Sequence, residues 1–414
     1  MQKLTFTFIV SLILTLGAAG QKISISLFNN LKLSTILITP TSGSYRLILG
    51  DNEVELKVNQ ILYISRSGDS LMVRDANQNM GTWKRVTVVG QTGEDIIRVK
   101  PIVPASPARL YDDNLSFYVD LDRIFAINLI DQEKYVAAVV EAEGGLNREP
   151  EFYKVQALIV RTYTFAHLNK HLAEGFNLCD EVHCQSYLGR SEKNSDILDA
   201  VLDTKDMVIV DAERNPITAA FHANCGGQTA NSEDVWVKPL PYLVSVSDRY
   251  CLGSNSSTWE RSIPIGEWKK FLSQNGVDTL KIKKNSDLDF QAKTRPKYYA
   301  VMGVEIPTTD IRKHFRLRSA WFSVSAGKSE IRLSGRGYGH GVGLCQDGAI
   351  NMAQKGWTYD QIVQYYYKGV SIVKLTELDM DRIRVDTTLN NMVEPNLPPP
   401  GMEFPQRPPD RGTR

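Results

Sequence analysis

The sequence has few cysteines, almost no net charge and, beyond its amino terminus, no long apolar run. Five cysteines among 414 residues, an odd number, argue against a disulfide scaffold. The formal net charge of +1, from 48 basic and 47 acidic residues, excludes a whole-molecule field that attracts nucleic acid. No later segment reaches the roughly 18 uninterrupted apolar residues of a membrane span. We therefore expect no nucleic-acid partner and no stable transmembrane segment after signal removal.

The amino terminus is typical of an export signal. Lys3 precedes an apolar run over 6–16, and small residues at 17–20 offer a cleavage site before Gln21. This run is too short to span a bilayer, although a signal anchor is the alternative. We predict that residues 1–20 are a signal peptide and that the protein is exported to the periplasm or cell envelope.

The remaining chain predicts an α+β fold in three parts. Residues 21–125 form a β-rich amino-terminal module, because short alternating runs such as Tyr45–Leu49 are separated by turn residues. Residues 126–375 form a mixed catalytic core with a few helices and short strands. Residues 376–414 form a disordered tail, since seven of the 18 prolines follow from Pro395 onward.

Glu143 is the candidate catalytic acid. The residues that follow the i, i+3, i+4, i+7 spacing of one helical face are Val136, Val139, Val140 and Glu143. The same helix turns Glu141 towards solvent and ends at Gly144-Gly145. A carboxyl group on an apolar face loses hydration, so its neutral form is favoured and can donate a proton near neutral pH. The alternative is that Glu143 reaches solvent at a frayed helix end, since Glu is rarely fully buried.

Further helices and strands are predicted along the core. Glu149-Pro150-Glu151 predicts the start of a second helix, which continues towards His171. Two apolar runs, 207–210 and 217–221, predict a hairpin, and 347–368 predicts one more helix.

Two thiols and two imidazoles form a candidate metal site. The four residues are Cys179, His183, Cys184 and His171, which together offer the donor types that tetrahedral zinc prefers. His183 and Cys184 are adjacent, so both can ligate one ion only if the backbone turns sharply. A disulfide or two ordinary buried thiols is the competing interpretation. If a metal binds, we expect it to be structural.

A glycine-rich segment over 334–349 contains His340 and Gln346. Such a cluster of glycines is expected where the chain takes positive φ or passes close to another surface. We interpret it as the edge of a binding or catalytic site, with a structural turn as the alternative. Cys225 and Cys251 lie far enough apart to close a loop, and the sequence leaves a bridge between them open.

Five segments together resemble the stage II sporulation protein D (SpoIID/LytB) family of peptidoglycan lytic transglycosylases. They are YVAAVVEAE at 135–143, VQALIVRTY at 155–163, CQSY at 184–187, FHANCGGQT at 221–229 and GHGVG at 339–343. The resemblance runs from about 130 to 372. Two departures are Gly144-Gly145, where the family often has Met-Pro, and Cys345, where a serine is commoner.

The resemblance implies that Glu143 is the catalytic acid. It further implies cleavage of the bond between N-acetylmuramic acid and N-acetylglucosamine in peptidoglycan glycan strands, leaving a 1,6-anhydro end. Arg161, Tyr163, His340 and Gln346 would line the cleft and orient the sugar.

The resemblance also implies zinc near the CQSY segment, held by Cys179, His183 and Cys184, with His171 as a further ligand. The rival function is a non-catalytic glycan-binding protein or modifier of an amidase partner. A zinc hydrolase is a third interpretation, but it needs an open coordination position, which two thiolates disfavour.

Overall fold

The computed structural model describes residues 21–236 and 238–379. The predicted signal peptide and residues 380–414 of the predicted tail lie outside these ranges. The described residues contain eight α-helices and 22 strands, which confirms the α+β class. Within them, no helix combines the length and the apolarity needed to cross a bilayer.

The amino-terminal module consists of two sheets. The first has the order β13-β1-β12-β11-β8-β3-β4 and the second has the order β10-β9-β2-β5-β6-β7. The strands of the first sheet are β1 (Lys22–Leu27), β3 (Tyr45–Leu49), β4 (Asn52–Leu56), β8 (Arg85–Gly90), β11 (Asn114–Asp120), β12 (Arg123–Asp131) and β13 (Leu178–Cys179). Those of the second are β2 (Thr35–Ser42), β5 (Leu62–Ser67), β6 (Ser70–Arg74), β7 (Asn79–Trp83), β9 (Ile96–Val103) and β10 (Arg109–Asp112). Alternate side chains of these strands point into one core, as period-2 sequences require.

The amino-terminal module shares structure with the residues that follow it. Strand β12 crosses the predicted boundary at residue 125 and leads directly into the first helix. Strand β13 pairs in parallel with β1, so that Ser26 lies beside Cys179. One hydrophobic cluster runs from Ile23 to Val370, so the two parts share a continuous core.

Helices α1 (Gln132–Gly144) and α2 (Pro150–Ala166) pack together in the middle of the chain. Asp131 begins α1, because its carboxylate accepts hydrogen bonds from the amides of Glu133 and Lys134. Gly145, with φ of 74°, follows its end. Pro150 begins α2, which confirms the predicted start. Helix α2 ends at Ala166 instead of continuing towards His171, which lies in a separate turn.

A smaller lobe has its own hydrophobic core, which includes the buried Trp268, Tyr299 and Leu333. Its elements are β16 (Thr258–Pro264), α5 (Ile265–Gln274), β17 (Tyr298–Val301), β18 (Val304–Pro307), α6 (Thr308–Phe315), β19 (Phe322–Ala326) and β20 (Glu330–Arg336). Strand β20 lies between β16 and β19 in an antiparallel sheet.

The other elements complete the core around α2. They are α3 (Ser195–Asp203), β14 (Met207–Val210), β15 (Phe221–His222), α4 (Ser232–Val235), β21 (Leu344–Cys345), α7 (Gln346–Gln354), α8 (Tyr359–Tyr366) and β22 (Ser371–Lys374). The predicted hairpin forms only next to its turn, where Val210 and Pro216 form an antiparallel bridge and the Ile217 amide donates to the Ile209 carbonyl. As strands, β14 pairs with β22, while β15 pairs with β21. The predicted last helix is two helices, because Gly356, with φ of 82°, ends the first and Thr358 begins the second.

Candidate catalytic site

Glu143 lies in the last turn of α1. Its side chain is held by Ser186, which lies two residues after Cys184. The Val136, Val139 and Val140 side chains are fully buried, so this helical face packs inward as the spacing predicts. The Glu143 carboxylate oxygen Oε1 accepts a 2.9 Å hydrogen bond from the amide of Ser186. The Ser186 hydroxyl also bonds to this carboxylate. One side of the carboxyl group is therefore fixed.

The other side of the carboxyl group has no partner. Oε2 of Glu143 is buried and makes no hydrogen bond, although the residue as a whole is partly exposed. Burial raises the pKa of Glu143 from 4.5 to about 7, and the bonds from Ser186 only partly oppose this effect. The group is therefore part protonated near neutral pH, and its Oε2 has no hydrogen-bond partner within the chain.

No second carboxylate shares the site among the residues that the structure describes. The raised pKa of Glu143 arises from burial, and no neighbouring acid contributes to it. Glu141, on the same helix, is not simply solvated as predicted. Its Oε2 accepts from the Ser191 hydroxyl at 2.8 Å and from the amides of Glu192 and Lys193, so it holds that loop in place.

Gln346 is brought directly to Glu143. It is the first residue of α7, and its side-chain Nε2 donates to the Glu143 carbonyl oxygen at 3.2 Å. This bond ties the carboxyl end of α1 to the end of the glycine-rich segment. Both residues are partly exposed, so the contact lies at a surface that a ligand can reach.

Tyr163 is also near Glu143. Burial raises the pKa of Tyr163, and the charges of Cys184, Cys179 and Glu143 add to the effect. The Tyr163 ring stacks on His167 with the ring centres 3.9 Å apart, and its hydroxyl accepts from the Lys170 ammonium at 3.3 Å. Tyr163 is partly exposed and can present an edge of its ring to a ligand.

Arg161 does not line a cleft, which corrects the sequence-based prediction. It is fully buried and its guanidinium forms a bidentate pair with Glu133, with nitrogen-oxygen distances of 2.9 Å and 2.5 Å. It also donates to the carbonyls of Met207 and Val201. Arg161 lies on the same face of α2 as the buried Leu158, so its side chain points inward. Its hydrogen bonds to Glu133, Val201 and Met207 connect α2 to α1, α3 and β14.

The four predicted metal ligands come together. The ligand atoms of His171, Cys179, His183 and Cys184 lie within 4.8 Å of one another. Cys184 Sγ is 3.4 Å from His171 Nε2, and Cys179 Sγ is 3.8 Å from His183 Nδ1. The other nitrogen of His171 is 2.5 Å from a Glu174 carboxylate oxygen, the arrangement by which a carboxylate orients a metal-bound histidine. Two sulfurs and two imidazoles fit a zinc ion.

The metal-type cluster borders the segment that holds Glu143. Gln185 follows Cys184 and accepts hydrogen bonds from the Tyr135 and Thr164 hydroxyls at 3.3 Å and 3.0 Å. Ser186, next in sequence, is the donor to Glu143. A ligand that holds Cys184 in place would therefore also hold the Ser186 amide, which donates to the Glu143 carboxylate.

His340 is almost fully buried, at 5% exposure. Its ring lies against His222 and Trp236, with centre distances of 5.5 Å and 5.2 Å, and its Nδ1 accepts from the amide of Val342. Burial lowers its pKa to about 3, and the charge of Arg312 adds to the effect, so the imidazole is neutral. It borders a cavity lined also by Gln228, Asn231, Asp234, Arg295 and Lys297, among others, a set that does not include Glu143.

The glycine-rich segment follows a path that only glycine allows. Gly343 has φ of 72°, and a Cβ atom there would lie 2.1 Å from the Ala220 carbonyl oxygen. This close approach lets β21 pair with β15, which places Gln346 next to the end of α1.

Cys225 and Cys251 also come together. Their sulfurs are 3.3 Å apart and not bonded to each other. Cys345 lies beside them, with its sulfur 3.3 Å from the amide of Cys225.

Comparison with known proteins places this arrangement in a family. The family model described as Stage II sporulation protein (SpoIID) matches residues 121–210, which include Glu143 and Ser186. Stage II sporulation protein D of Bacillus amyloliquefaciens is 30% identical over 264 residues, which cover 60% of this chain and 75% of that protein. The chain belongs to the stage II sporulation protein D family.

Two other relatives extend the SpoIID comparison. An uncharacterized protein of Brachyspira hyodysenteriae is 29% identical over 280 residues, covering 66% of this chain and 74% of that protein. The Amidase enhancer of Bacillus subtilis is 27% identical over 274 residues, covering 54% of this chain and 38% of that protein.

Sequence reasoning about this SpoIID protein missed three features of the site. Ser186 lies in the CQSY segment, but nothing in the residue pattern indicates that its amide meets Glu143. The ion pair between Glu133 and Arg161 has no local signal, because its members are on different helices. The residue pattern also gives no sign that Cys345 lies beside Cys225 and Cys251.

Proposed function

We propose that this protein is a lytic transglycosylase that cleaves the glycan strands of peptidoglycan in the cell envelope. The observation that carries the proposal is the Glu143 carboxyl group: one oxygen is fixed by Ser186, the other is buried and unpartnered, and the pKa is raised to about 7. Membership of the SpoIID family, together with relatives named Stage II sporulation protein D and Amidase enhancer, supports a role at the cell wall.

The chemistry needs a single group that first gives and then takes a proton. In its neutral form, Glu143 donates the proton on Oε2 to the glycosidic oxygen, and the bond from that oxygen to C1 of the N-acetylmuramic acid residue breaks. The 6-hydroxyl oxygen of the same sugar then bonds to C1, and its proton passes to the Glu143 carboxylate. The products are a free hydroxyl on the leaving sugar and a 1,6-anhydro ring, and the acid is regenerated.

One carboxyl group is enough for this reaction because the nucleophile is already part of the substrate. Most glycosidases use two carboxyl groups, about 5 to 9.5 Å apart, to activate water or form a covalent intermediate. In the described part of this chain, no second acid perturbs Glu143, and Glu141 is engaged by the 191–193 loop. Intramolecular attack also avoids the entropic cost of positioning a water molecule. These features favour a transglycosylase over a hydrolase.

The neighbouring residues position the acid and the sugar. Gln346 holds the backbone of Glu143, and Tyr163 offers a partly exposed ring whose hydroxyl is influenced by the charge of Glu143. Arg161 acts at a distance as a positioning residue, since it braces the helices and does not touch the cleft. His340 is neutral and almost buried, so we assign it a hydrogen-bonding role and not an acid–base role.

A zinc ion would be held by His171, Cys179, His183 and Cys184. It would supply structural cross-linking and no chemistry to the bond-breaking step, because its protein donors fill four positions. By fixing Cys184, it would keep the Ser186 amide aligned with Glu143.

The decisive experiment is digestion of purified glycan strands by the wild-type protein, by Glu143→Gln and by the matched control Glu141→Gln. Mass analysis of the ends identifies the reaction. We expect anhydro ends from the wild type and the control, and a loss of at least about 100-fold in Glu143→Gln, the usual contribution of a general acid. Hydrated reducing ends would refute the transglycosylase assignment.

The pH dependence supplies a second check. Because Glu143 must start protonated, the rate should fall about tenfold per pH unit above its pKa of about 7. A rate that is constant between pH 6 and 9 would argue against Glu143 as the initial acid.

The second candidate function is a non-catalytic modifier of a cell-wall amidase. The likeness to a protein named Amidase enhancer favours it, although the chain covers only 38% of that relative. This alternative predicts that wild type and Glu143→Gln bind glycan strands equally, release no products, and raise the rate of a purified amidase to the same extent.

A further inference from the structure

Three cysteines and an aspartate meet in a second buried cluster, which the proposed reaction does not use. Cys225 follows β15, Cys345 ends β21, and Cys251 lies in a short turn that Asp248 begins. One ligand atom of each lies within 4.8 Å of the other three. All four residues are at 0% exposure. We propose that this cluster is a structural zinc site, separate from the one formed around Cys179.

The spacing of the ligand atoms is close to that of a zinc tetrahedron. With zinc–sulfur bonds of about 2.3 Å, two sulfurs on the same ion are separated by about 3.8 Å, and a sulfur and a carboxylate oxygen by about 3.5 Å. The sulfurs of Cys225 and Cys251 are 3.3 Å apart, and Cys225 Sγ is 3.3 Å from Asp248 Oδ2. Small movements of side chains would therefore admit the ion.

A backbone amide points at one of the sulfurs. The amide of Cys225 donates to the Cys345 sulfur at 3.3 Å. Such hydrogen bonds stabilise negative charge on sulfur, and the thiolate is the form that ligates metals.

The aspartate is oriented from outside the cluster. Its Oδ2 accepts from the Tyr366 hydroxyl at 2.9 Å, and its Oδ1 accepts from the amide of Tyr250 at 2.9 Å. Hydrogen bonds of this kind fix a carboxylate for metal binding. A single Asp248 oxygen is thereby aimed at the three sulfurs.

The donor set identifies the ion. Three thiolates exclude the hard cations Mg²⁺ and Ca²⁺ and favour zinc, which also accepts a carboxylate oxygen. Four buried protein donors leave no coordination position for water or substrate, so the site is structural. The set carries two negative charges more than Zn²⁺ neutralises, and the Arg295 guanidinium, 2.7 Å from the Cys225 carbonyl oxygen, lies close enough to offset part of this excess.

The ion would join two parts of the core that are more than ninety residues apart in sequence. Cys345 immediately precedes Gln346, whose side chain holds the Glu143 backbone. A zinc ion here would therefore anchor the start of α7 independently of the ion near Ser186. The chief competitor is a disulfide between Cys225 and Cys251, which would leave Cys345 as a single buried thiol.

The test is the number of zinc ions per chain in full-length protein purified without chelators. The four forms are the wild type, Cys179→Ser/Cys184→Ser, and the same double variant with either Cys345→Ser or Asp248→Asn added. The double variant Cys179→Ser/Cys184→Ser removes two ligands of the other cluster and leaves Cys225, Cys251 and Cys345 intact. It is the matched control for the variant that also lacks Cys345, because both variants lose the same two buried thiols. We expect the double variant to retain about one zinc ion per chain, and we expect Cys345→Ser in the same background to lose it. Cobalt substitution of the control should give the thiolate charge-transfer band, and Asp248→Asn should alter its ligand-field bands without removing the three sulfurs.

Two outcomes would overturn the proposal. One is a zinc-free control in which alkylation labels only Cys345 and the mass is lower by two hydrogens, which identifies a disulfide. The other is a folded, zinc-free control with all three thiols labelled after unfolding. If the serine variants fail to fold, X-ray absorption at the zinc edge of the wild type decides. The measured quantity is the average number of sulfur ligands per zinc ion. The proposal requires this average to exceed two, the number that the cluster around Cys179 supplies. A spectrum with two sulfurs and two nitrogens per zinc counts against it.

Discussion

Replacing Glu143 by glutamine should stabilise the folded protein, and the gain should grow with pH. The amide keeps the shape of the side chain and can still accept the hydrogen bond from Ser186, but it cannot ionise. In the wild type, burial opposes ionisation and raises the pKa of Glu143 from 4.5 to about 7. The unfolded chain releases this proton more readily than the folded chain, so the wild type loses stability as the pH rises through that window.

The size of the effect follows from the two pKa values. One pKa unit corresponds to about 1.4 kcal/mol, so the penalty approaches about 3 kcal/mol above pH 7. At pH 5 most of the penalty is absent, and about 1 kcal/mol remains. Because Glu143 is partly exposed, these figures are upper values. The Glu143→Gln variant should therefore gain about 1 to 2 kcal/mol more at pH 8 than at pH 5.

The measurement is urea unfolding of both proteins between pH 5 and pH 8, read as the difference in unfolding free energy at each pH. Other titrating groups are common to both chains and cancel in this difference. Glu141→Gln is the control: its carboxylate accepts three hydrogen bonds from the 191–193 loop, so its loss should destabilise the protein. A Glu143→Gln gain that is independent of pH, or that falls with rising pH, would refute a buried, weakly solvated acid. This assay needs no substrate, so it tests the electrostatics separately from the proposed activity.

Two further predictions concern the framework of the site. Arg161→Met should lower the free energy of unfolding by about 3 to 5 kcal/mol, because it leaves the buried Glu133 carboxylate without its bidentate partner. Urea unfolding measures this change, and a loss below about 1 kcal/mol would contradict a buried ion pair. Gly343→Ala should prevent the pairing of β15 with β21, since the new Cβ would lie 2.1 Å from the Ala220 carbonyl oxygen. The control Gly356→Ala has positive φ but no atom within 4 Å, so it should cost only about 1 kcal/mol of backbone strain, and equal thermal midpoints for the two variants would contradict the steric argument.

The sequence alone predicted several elements and the buried helical face next to Glu143. Helix periodicity placed Val136, Val139 and Val140 inward, and the structure buries all three. The start of α2 followed from Pro150, and the alternating runs before residue 125 became strands. These features depend on neighbouring residues along the chain, so local propensity and spacing are sufficient to find them.

Pairing between distant segments was decided only by the tertiary structure. The run 217–221 follows a turn after β14 but contacts it only near that turn, through the Val210–Pro216 bridge and the bond from the Ile217 amide to Ile209. The longer pairings join β14 to β22 and β15 to β21. The helix predicted over 347–368 divides at Gly356, whose φ of 82° lies outside the helical range. Arg161 belongs to a motif and was expected in the cleft, but it faces the interior because Glu133 is there to neutralise it.

The environment of the acid shows the same division. Glutamate at position 143 is visible in the sequence, but its raised pKa requires the burial of Oε2 and a single donor, Ser186, from a segment more than forty residues away. The gathering of Cys225, Cys251 and Cys345 likewise requires the close approach of β15 and β21. Residue types fix which chemistry is available, whereas solvation and distance, which set its strength, depend on contacts that only the folded chain creates.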